Sequence, residues 1–171
     1  MTGNSVTIRT TTRDDFADLM TLWNDGRVMQ WVGFPNGFGY DVEKIGKWFE
    51  KLQSQPHRHH FVVYADGVGF CGEVYYVVEQ KYRRAELDIK FVPAAQGQGL
   101  AADALQTLIR HVFEIEKEVD VVWTEPRQDN SASRKLYTRC GLTAQPRPSD
   151  LEPFESYWAL SRENWRALLQ S

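Results

Sequence analysis

The run Glu86-Leu-Asp-Ile-Lys-Phe-Val-Pro constrains this chain more than any other segment. Polar and apolar residues alternate strictly, a period that suits a strand and not a helix. Glu86, Asp88 and Lys90 belong to one side of it, and Leu87, Ile89 and Phe91 to the other. Pro93 cannot donate to a ladder and so ends the strand. Gly97 and Gly99 punctuate the turn that follows. From Gly99 to about Glu116, Leu100, Leu105, Leu108, Ile109, Val112 and Phe113 recur on one helical face. A strand, a glycine-rich turn and a long amphipathic helix, in that order, require a layered α/β architecture.

The flanking sequence fits a mixed sheet. Val6 to Thr12 is β-branched and reads as a first strand. Thr12 and Asp15 have capping-box spacing, and Phe16, Leu19, Met20 and Trp23 follow at helical intervals. Gly33 to Gly39 is a loop by composition. A second helix is expected from Asp41 to Leu52, with Val42, Ile45, Trp48, Phe49 and Leu52 facing inward. Phe61 to Ala65 and Val68 to Val78 form a hairpin, with Asp66-Gly67 as a two-residue turn. Val119 to Thr124 is almost wholly apolar, as in a strand covered on both faces. A helix from Ser131 to Arg139 stops at Gly141, Tyr157 to Leu160 is a last strand, and Asn164 to Leu169 a closing helix. No repeat or composition break divides residues 1–171, so one domain is expected.

Several function classes are disfavoured. A net charge of −3 argues against a general nucleic-acid binder, whose affinity rests on a basic surface. There is no apolar run long enough for a membrane span, no signal-peptide pattern at the start, and two cysteines are too few for a disulfide framework. A cytoplasmic location is the simplest expectation. His57-Arg-His-His lacks flanking ligands and reads as a solvated connector, so no metal site is expected. Cys71 and Cys140 read as small core residues and not as nucleophiles.

The glycine-rich turn carries the chemistry. Amides at a helix N-terminus have no intrahelical partner and sit at the positive end of the dipole, where a phosphate is stabilised. Gly97 and Gly99 permit close approach of the backbone. The turn has neither a Gly-Lys-Ser/Thr ending nor the G-x-G-x-x-G spacing, because Ala102 stands where a third glycine would. A plain strand–helix turn is the alternative reading.

Gln96-Gly-Gln-Gly-Leu-Ala resembles the Q/R-x-x-G-x-G/A signature of the GNAT N-acetyltransferases, again after a strand and at the head of a helix. Asn130-Ser-Ala-Ser-Arg-Lys-Leu-Tyr-Thr-Arg-Cys-Gly-Leu resembles that family's N-x-x-A/S-x-x-x-Y-x-x-x-G-F element, with Leu142 for the usual Phe. One helix and one strand separate the two, as in the family. Thr7-Ile-Arg with Asp14-Asp15 resembles its opening, so the likeness spans nearly the whole chain. Within the family it looks most similar to the ribosomal-protein and aminoglycoside acetyltransferase group.

The resemblance implies a mostly antiparallel sheet whose fourth and fifth strands splay apart to receive acetyl-coenzyme A. On that mapping the backbone of Phe91 and Val92 bonds the pantetheine, and Gln96, Gly97, Gln98, Gly99, Leu100 and Ala101 hold the pyrophosphate. Asn130 and Ser133 contact the cofactor arm, and Tyr137 returns a proton to the thiolate. Free tyrosine titrates near ~10 and a thiol near ~8.5, so that transfer is uphill by about 2 kcal/mol before the site acts. The alternative for Tyr137 is a packed core aromatic. Glu86 is the first candidate for general base, with Asp88, Glu73 and Glu125 behind it. Each would need burial or a water chain to serve an alkylammonium, and each can equally be a surface carboxylate paired with Arg83, Arg84 or Lys90.

The implied reaction is direct acetyl transfer to a primary amine. A small-molecule acceptor is favoured over a protein N-terminus, and a catalytically silent acyl-coenzyme A sensor is the reading from another class. Trp23, Trp31, Phe34, Phe38, Tyr40 and Trp48, with Asp25, Asp41 and Glu43, form either an aromatic and acidic cradle for a cation or ordinary core. Trp158 and the final strand are a candidate homodimer edge.

Overall fold

The computed structural model describes residues 1–3 and 5–170. Seven strands form one sheet: β1 (Thr7–Thr10), β2 (Arg58–Ala65), β3 (Gly69–Glu79), β4 (Arg84–Phe91), β5 (Val121–Thr124), β6 (Thr143–Ala144) and β7 (Trp158–Ser161). Their spatial order is β1-β2-β3-β4-β5-β7-β6, antiparallel throughout except for β4 and β5. The helices are α1 (Phe16–Trp23), α2 (Gly26–Met29), α3 (Val42–Gln53), α4 (Leu100–Ile115), α5 (Ser131–Arg139) and α6 (Arg162–Leu168).

Both faces of the sheet are covered. On one, α1 to α3 set Leu19, Leu22, Trp23, Val28, Met29 and Ile45 against Val62. On the other, the α4 residues Leu105, Leu108, Ile109 and Val112 pack on Val74, Tyr76 and Leu87. Fully burying each such aliphatic side chain contributes roughly 1.5–3 kcal/mol. All six apolar positions expected to face inward on α4 are buried.

Four expectations are corrected. Val42 is 69% exposed, because α3 begins with its first turn clear of the sheet, capped by Asp41. The hairpin loop holds three residues, Asp66 to Val68, between the paired Ala65 and Gly69. The segment read as a solvated connector is the start of β2, and His60 is buried there. Trp158 is not on a free edge: β7 lies between β5 and β6, and Trp158 is buried.

The split in the sheet positions the site. β5 pairs with β4 only along Arg84, Ala85 and Glu86. β4 then runs on to Phe91 with β3 alone beside it, which leaves its other edge open. Gly72 makes the end of this strand possible. It pairs with Phe91, and a Cβ there would stand 2.0 Å from the Lys90 carbonyl.

Candidate active site

A cleft of about 680 Å³ opens where β4 and β5 part. Its walls are the open edge of β4, the glycine-rich turn, the N-terminal face of α5, and Val28, Trp31 and Val32 from the α2 region. Strand backbone groups point alternately to the two neighbours. The Val92 amide donates to Cys71 O at 2.9 Å, so it is spent inside the sheet. The backbone facing the cleft is therefore that of Ile89 and Phe91, a shift from the expected pair Phe91 and Val92. Within the cleft the Ile89 amide donates to the Asp88 carboxylate at 2.7 Å, and Gln96 Nε2 donates to Phe91 O at 2.9 Å. The Gln96 side chain thus braces the strand end.

Past Gln96 the turn is built by backbone conformation. Gly97 (φ +76°) and Gly99 (φ +81°) occupy the left-handed region, with no protein atom near where a Cβ would project. Ala102 and Asp103 are the first α4 amides to find a carbonyl, both on Gly99 O. The amides of Leu100 and Ala101 precede them and have no intrahelical acceptor. Gln96, Gly97, Gly99 and Ala101 all line the cleft. Free amides, bare glycines and the positive end of α4 converge there, which suits a phosphate-bearing ligand. Gln98 turns its side chain back onto Ala94 O instead.

Asn130 caps α5, its Oδ1 accepting from the Ser133 amide at 3.1 Å, which leaves its Nδ2 for a ligand. Two turns along the same helix, Tyr137 is buried in the cleft wall beside Thr124. Burial, reinforced by the Asp88 charge, raises its phenol pKa, so the side chain is a proton donor at neutral pH.

The four candidate carboxylates divide sharply. Glu73 is buried, and both its oxygens are used: Oε2 accepts from Trp23 Nε1 at 2.8 Å and meets His60 Nε2 at 2.9 Å, and Oε1 faces Lys90 Nζ at 3.1 Å. Burial works to raise its pKa, but Lys90 and His60 outweigh it and hold the carboxyl at about 2, too weak for a base. Asp88 is ion-paired with Lys90. Burial works to lower the Lys90 pKa, but Asp88 and Glu73 outweigh it and keep the ammonium charged. Glu125 pairs with Arg147 at 2.7 Å. Glu86 has neither an ion pair nor a hydrogen bond among the described residues. Burial, then repulsion from Asp88, Glu125 and Glu79, pushes its carboxyl up to about 7. An unpaired carboxylate titrating near neutrality is suited to accept a proton.

Arg83 and Arg84, expected as partners for this face, point elsewhere, to Glu118 and Asp120 and to Glu79 and Asp150 respectively. Of the aromatics, Trp23 is core, ringed by Phe38, Tyr40 and Trp48, whereas Trp31 (39% exposed) borders the cleft. The acids expected to cradle a cation do other work: Asp25 and Asp41 cap helices, and Glu43 pairs with Lys47. The acids in the cleft wall are Glu86, Asp88 and Glu125. Cys71 and Cys140 are buried, and burial pushes the Cys140 thiol up to about 12. No group of three His, Cys, Asp or Glu side chains suited to a metal ion occurs among the described residues.

Sequence reasoning missed Arg58, Tyr75 and Thr124. Tyr75 and Thr124 line the cleft, and Arg58 stacks on the Tyr75 ring at 4.5 Å. Only the strand register brings them to the site.

Comparison with known proteins matches residues 5–143 to the acetyltransferase (GNAT) domain model. No curated protein matches the sequence. Among solved structures, the spermidine N-acetyltransferase from Vibrio cholerae, in complex with CoA and spermine, superposes with a TM-score of 0.81 at 18% identity, covering 95% of this chain and 98% of that one. The aminoglycoside acetyltransferase AAC(6')-Ib in complex with coenzyme A gives 0.78 at 18% identity, with 95% and 98% covered. RimL, the ribosomal L7/L12 alpha-N-protein acetyltransferase, gives 0.77 at 16% identity, with 92% and 94% covered. The chain belongs to the GNAT acetyltransferase family. It is an N-acetyltransferase.

Proposed function

We propose that this chain transfers acetyl directly from acetyl-coenzyme A to the primary amine of a small molecule, with Glu86 as general base and Tyr137 as general acid. One observation carries the reading. Glu86 alone of the four candidate carboxylates is unpaired, and it lines the same cleft as the protonated Tyr137.

The residues fit the co-substrate. Open amides at Leu100 and Ala101, with Gly97 and Gly99, would hold the pyrophosphate. The Ile89 and Phe91 backbone and Asn130 Nδ2 would align the pantetheine, with Ser133 beside it. Bound acetyl-coenzyme A supplies an activated carbonyl and a thiolate leaving group. Glu86 takes the proton that the acceptor must lose to become a nucleophile. The slot-facing amide of Phe91 stabilises developing negative charge, which a preorganised donor does without reorganisation. Tyr137 donates to the departing sulfur, and the negative charge of Asp88 nearby favours the neutral phenol at rest.

Glu86, the unpaired acid of the cleft wall, offers an ammonium acceptor its partner. The likeness to RimL makes a protein N-terminus the second acceptor to test. Two buried free thiols support a cytoplasmic placement. We treat residues 1–171 as one catalytic domain.

The test is thiol release from acetyl-coenzyme A with an amine panel. Tyr137→Phe should lower kcat by roughly 10²-fold or more with the Kd for coenzyme A within about threefold of the parent. Glu86→Gln should lose the ascending limb of kcat/KM near pH 7. Full activity in Tyr137→Phe would remove the acid role, and coenzyme binding without turnover on any amine would turn the reading toward a sensor.

A further inference from the structure

A second cavity, of about 240 Å³, lies beside the cleft under α3. Tyr75 and Lys90 line both, so the two spaces share a wall. The second is floored by Trp23, Phe38, Tyr40 and Trp48 and rimmed by Lys51 and Arg58.

The register of the sheet relates the two. Arg58 on β2 pairs with Val77 on β3, and Val77 pairs with Glu86 on β4, so the three form one row on one face. Arg58 and Glu86 are two strand spacings apart, about 10 Å between backbones. The small Val77 stands between them. In the next row Tyr75 separates His60 from Asp88.

These two ends carry opposite and unsatisfied charges. The Arg58 guanidinium makes no ion pair or hydrogen bond among the described residues. It lies over the Tyr75 ring, and its Nε is buried without a partner. The neighbouring charges in the second cavity are already used. Glu73 is satisfied by Trp23, His60 and Lys90, and Lys90 by Glu73 and Asp88. A guanidinium that lies over an aromatic ring and has no hydrogen-bond partner is matched by a planar anion that accepts two parallel hydrogen bonds. At the far end of the row Glu86 awaits a cation.

We infer that the acceptor is an amine that also carries a carboxylate a few carbons away, its ammonium at Glu86 and its carboxylate on Arg58, with Lys51 nearby. This rests on the reading of the cleft as an acetyl-transfer site, and it narrows the substrate class to amino acid-like amines. Pure polycations leave the Arg58 charge unanswered and place positive groups against it.

The experiment compares ω-aminoalkanoic acids of two to five methylenes with their primary amides, which differ in the anionic group alone. With wild-type protein and acetyl-coenzyme A, kcat/KM for the best acid should exceed that for its amide by ~10- to 100-fold, the span of a charged hydrogen-bonded pair. Arg58→Met should collapse this ratio toward one through KM, and Arg58→Lys should retain part of it. A wild-type ratio near one, or a ratio that survives in Arg58→Met, overturns the inference. If Arg58→Met does not fold, the wild-type pair and Arg58→Lys decide. Should amides be acetylated as well as acids, the transfer reading stands and the anion site falls. Should neither be acetylated while other amines of the panel are, the substrate inference falls and the transfer reading stands; should no amine be acetylated, the transfer reading fails, and thermal shift judges the anion site separately. A melting temperature raised by acids and not by amides keeps it, and no difference overturns it.

Discussion

Replacing Glu86 by Gln should stabilise the fold above neutral pH while removing the base. The Glu86 carboxyl titrates at about 7 in the folded chain, against an ordinary value of 4.5. Between these values the folded state binds a proton that the unfolded state has released. Stability therefore falls as pH rises through this window and stays lower above it. A rise from 4.5 to about 7, at about 1.36 kcal/mol per pH unit, gives at most about 3.4 kcal/mol, and the open mouth of the cleft screens part of it. Urea unfolding of both proteins from pH 4 to 8.5 isolates the effect, because every other titrating group is common to the pair. The advantage of Glu86→Gln should be small at pH 4, grow between about 4.5 and 7, and level off above. A difference that stays flat across that range would refute the reasoning, and with it the claim that burial and three neighbouring acids tune this carboxyl.

Other perturbations have equally direct readouts. Glu73→Gln leaves Lys90 buried with Asp88 alone and should cost roughly 3–5 kcal/mol in chemical denaturation. In the wild type, the depressed Glu73 pKa contributes stability that is full above about pH 4.5 and lost as pH falls toward about 2, so acid unfolding should steepen there. Gly72→Ala places a Cβ 2.0 Å from Lys90 O and should destabilise by at least about 2 kcal/mol, seen as a lowered melting temperature. Gly99→Ala has open space but a φ of +81°, so it should cost only about 1 kcal/mol while weakening coenzyme A binding measurably by calorimetry.

The strand, turn and helix from Arg84 to Ile115 were legible because each rests on a local signal: alternation, a proline stop, paired glycines and a helical stripe. The Ser131–Arg139 helix was legible for the same reason, through its stop at Gly141, which is left-handed. α2 was missed because four residues, Gly26–Met29, cannot display a period. β6 holds two residues and exists only because β7 offers them an edge. The segment at His57 hid its strand because basic and imidazole side chains mimic a loop, and a buried His60 is explained only by Thr11 and Glu73 arriving from other elements. In the site, sequence placed Glu86 first of four carboxylates but held no physical ground for excluding the other three. That choice depends on which of them meets a cation, and the cations come from β2, β4 and the loop bearing Arg147.

The distribution of charge on this face follows from one lysine. Lys90 reaches both Glu73 and Asp88, neutralising two of the carboxylates nearest the cleft, and Arg147 neutralises Glu125. Glu86 shares the row of Arg58 but is separated from it by Val77, so their attraction only tempers the effect of burial. A salt bridge between them would have returned Glu86 to the ordinary carboxylate range and left no base near neutrality. The separation across Val77 thus serves both readings at once: it keeps Glu86 basic, and it leaves Arg58 with a charge that a ligand can answer. An acceptor spanning the two residues would add its own ammonium beside Glu86, and such a neighbour favours the ionised carboxylate. Binding would therefore bring the base into its working state as the substrate arrives.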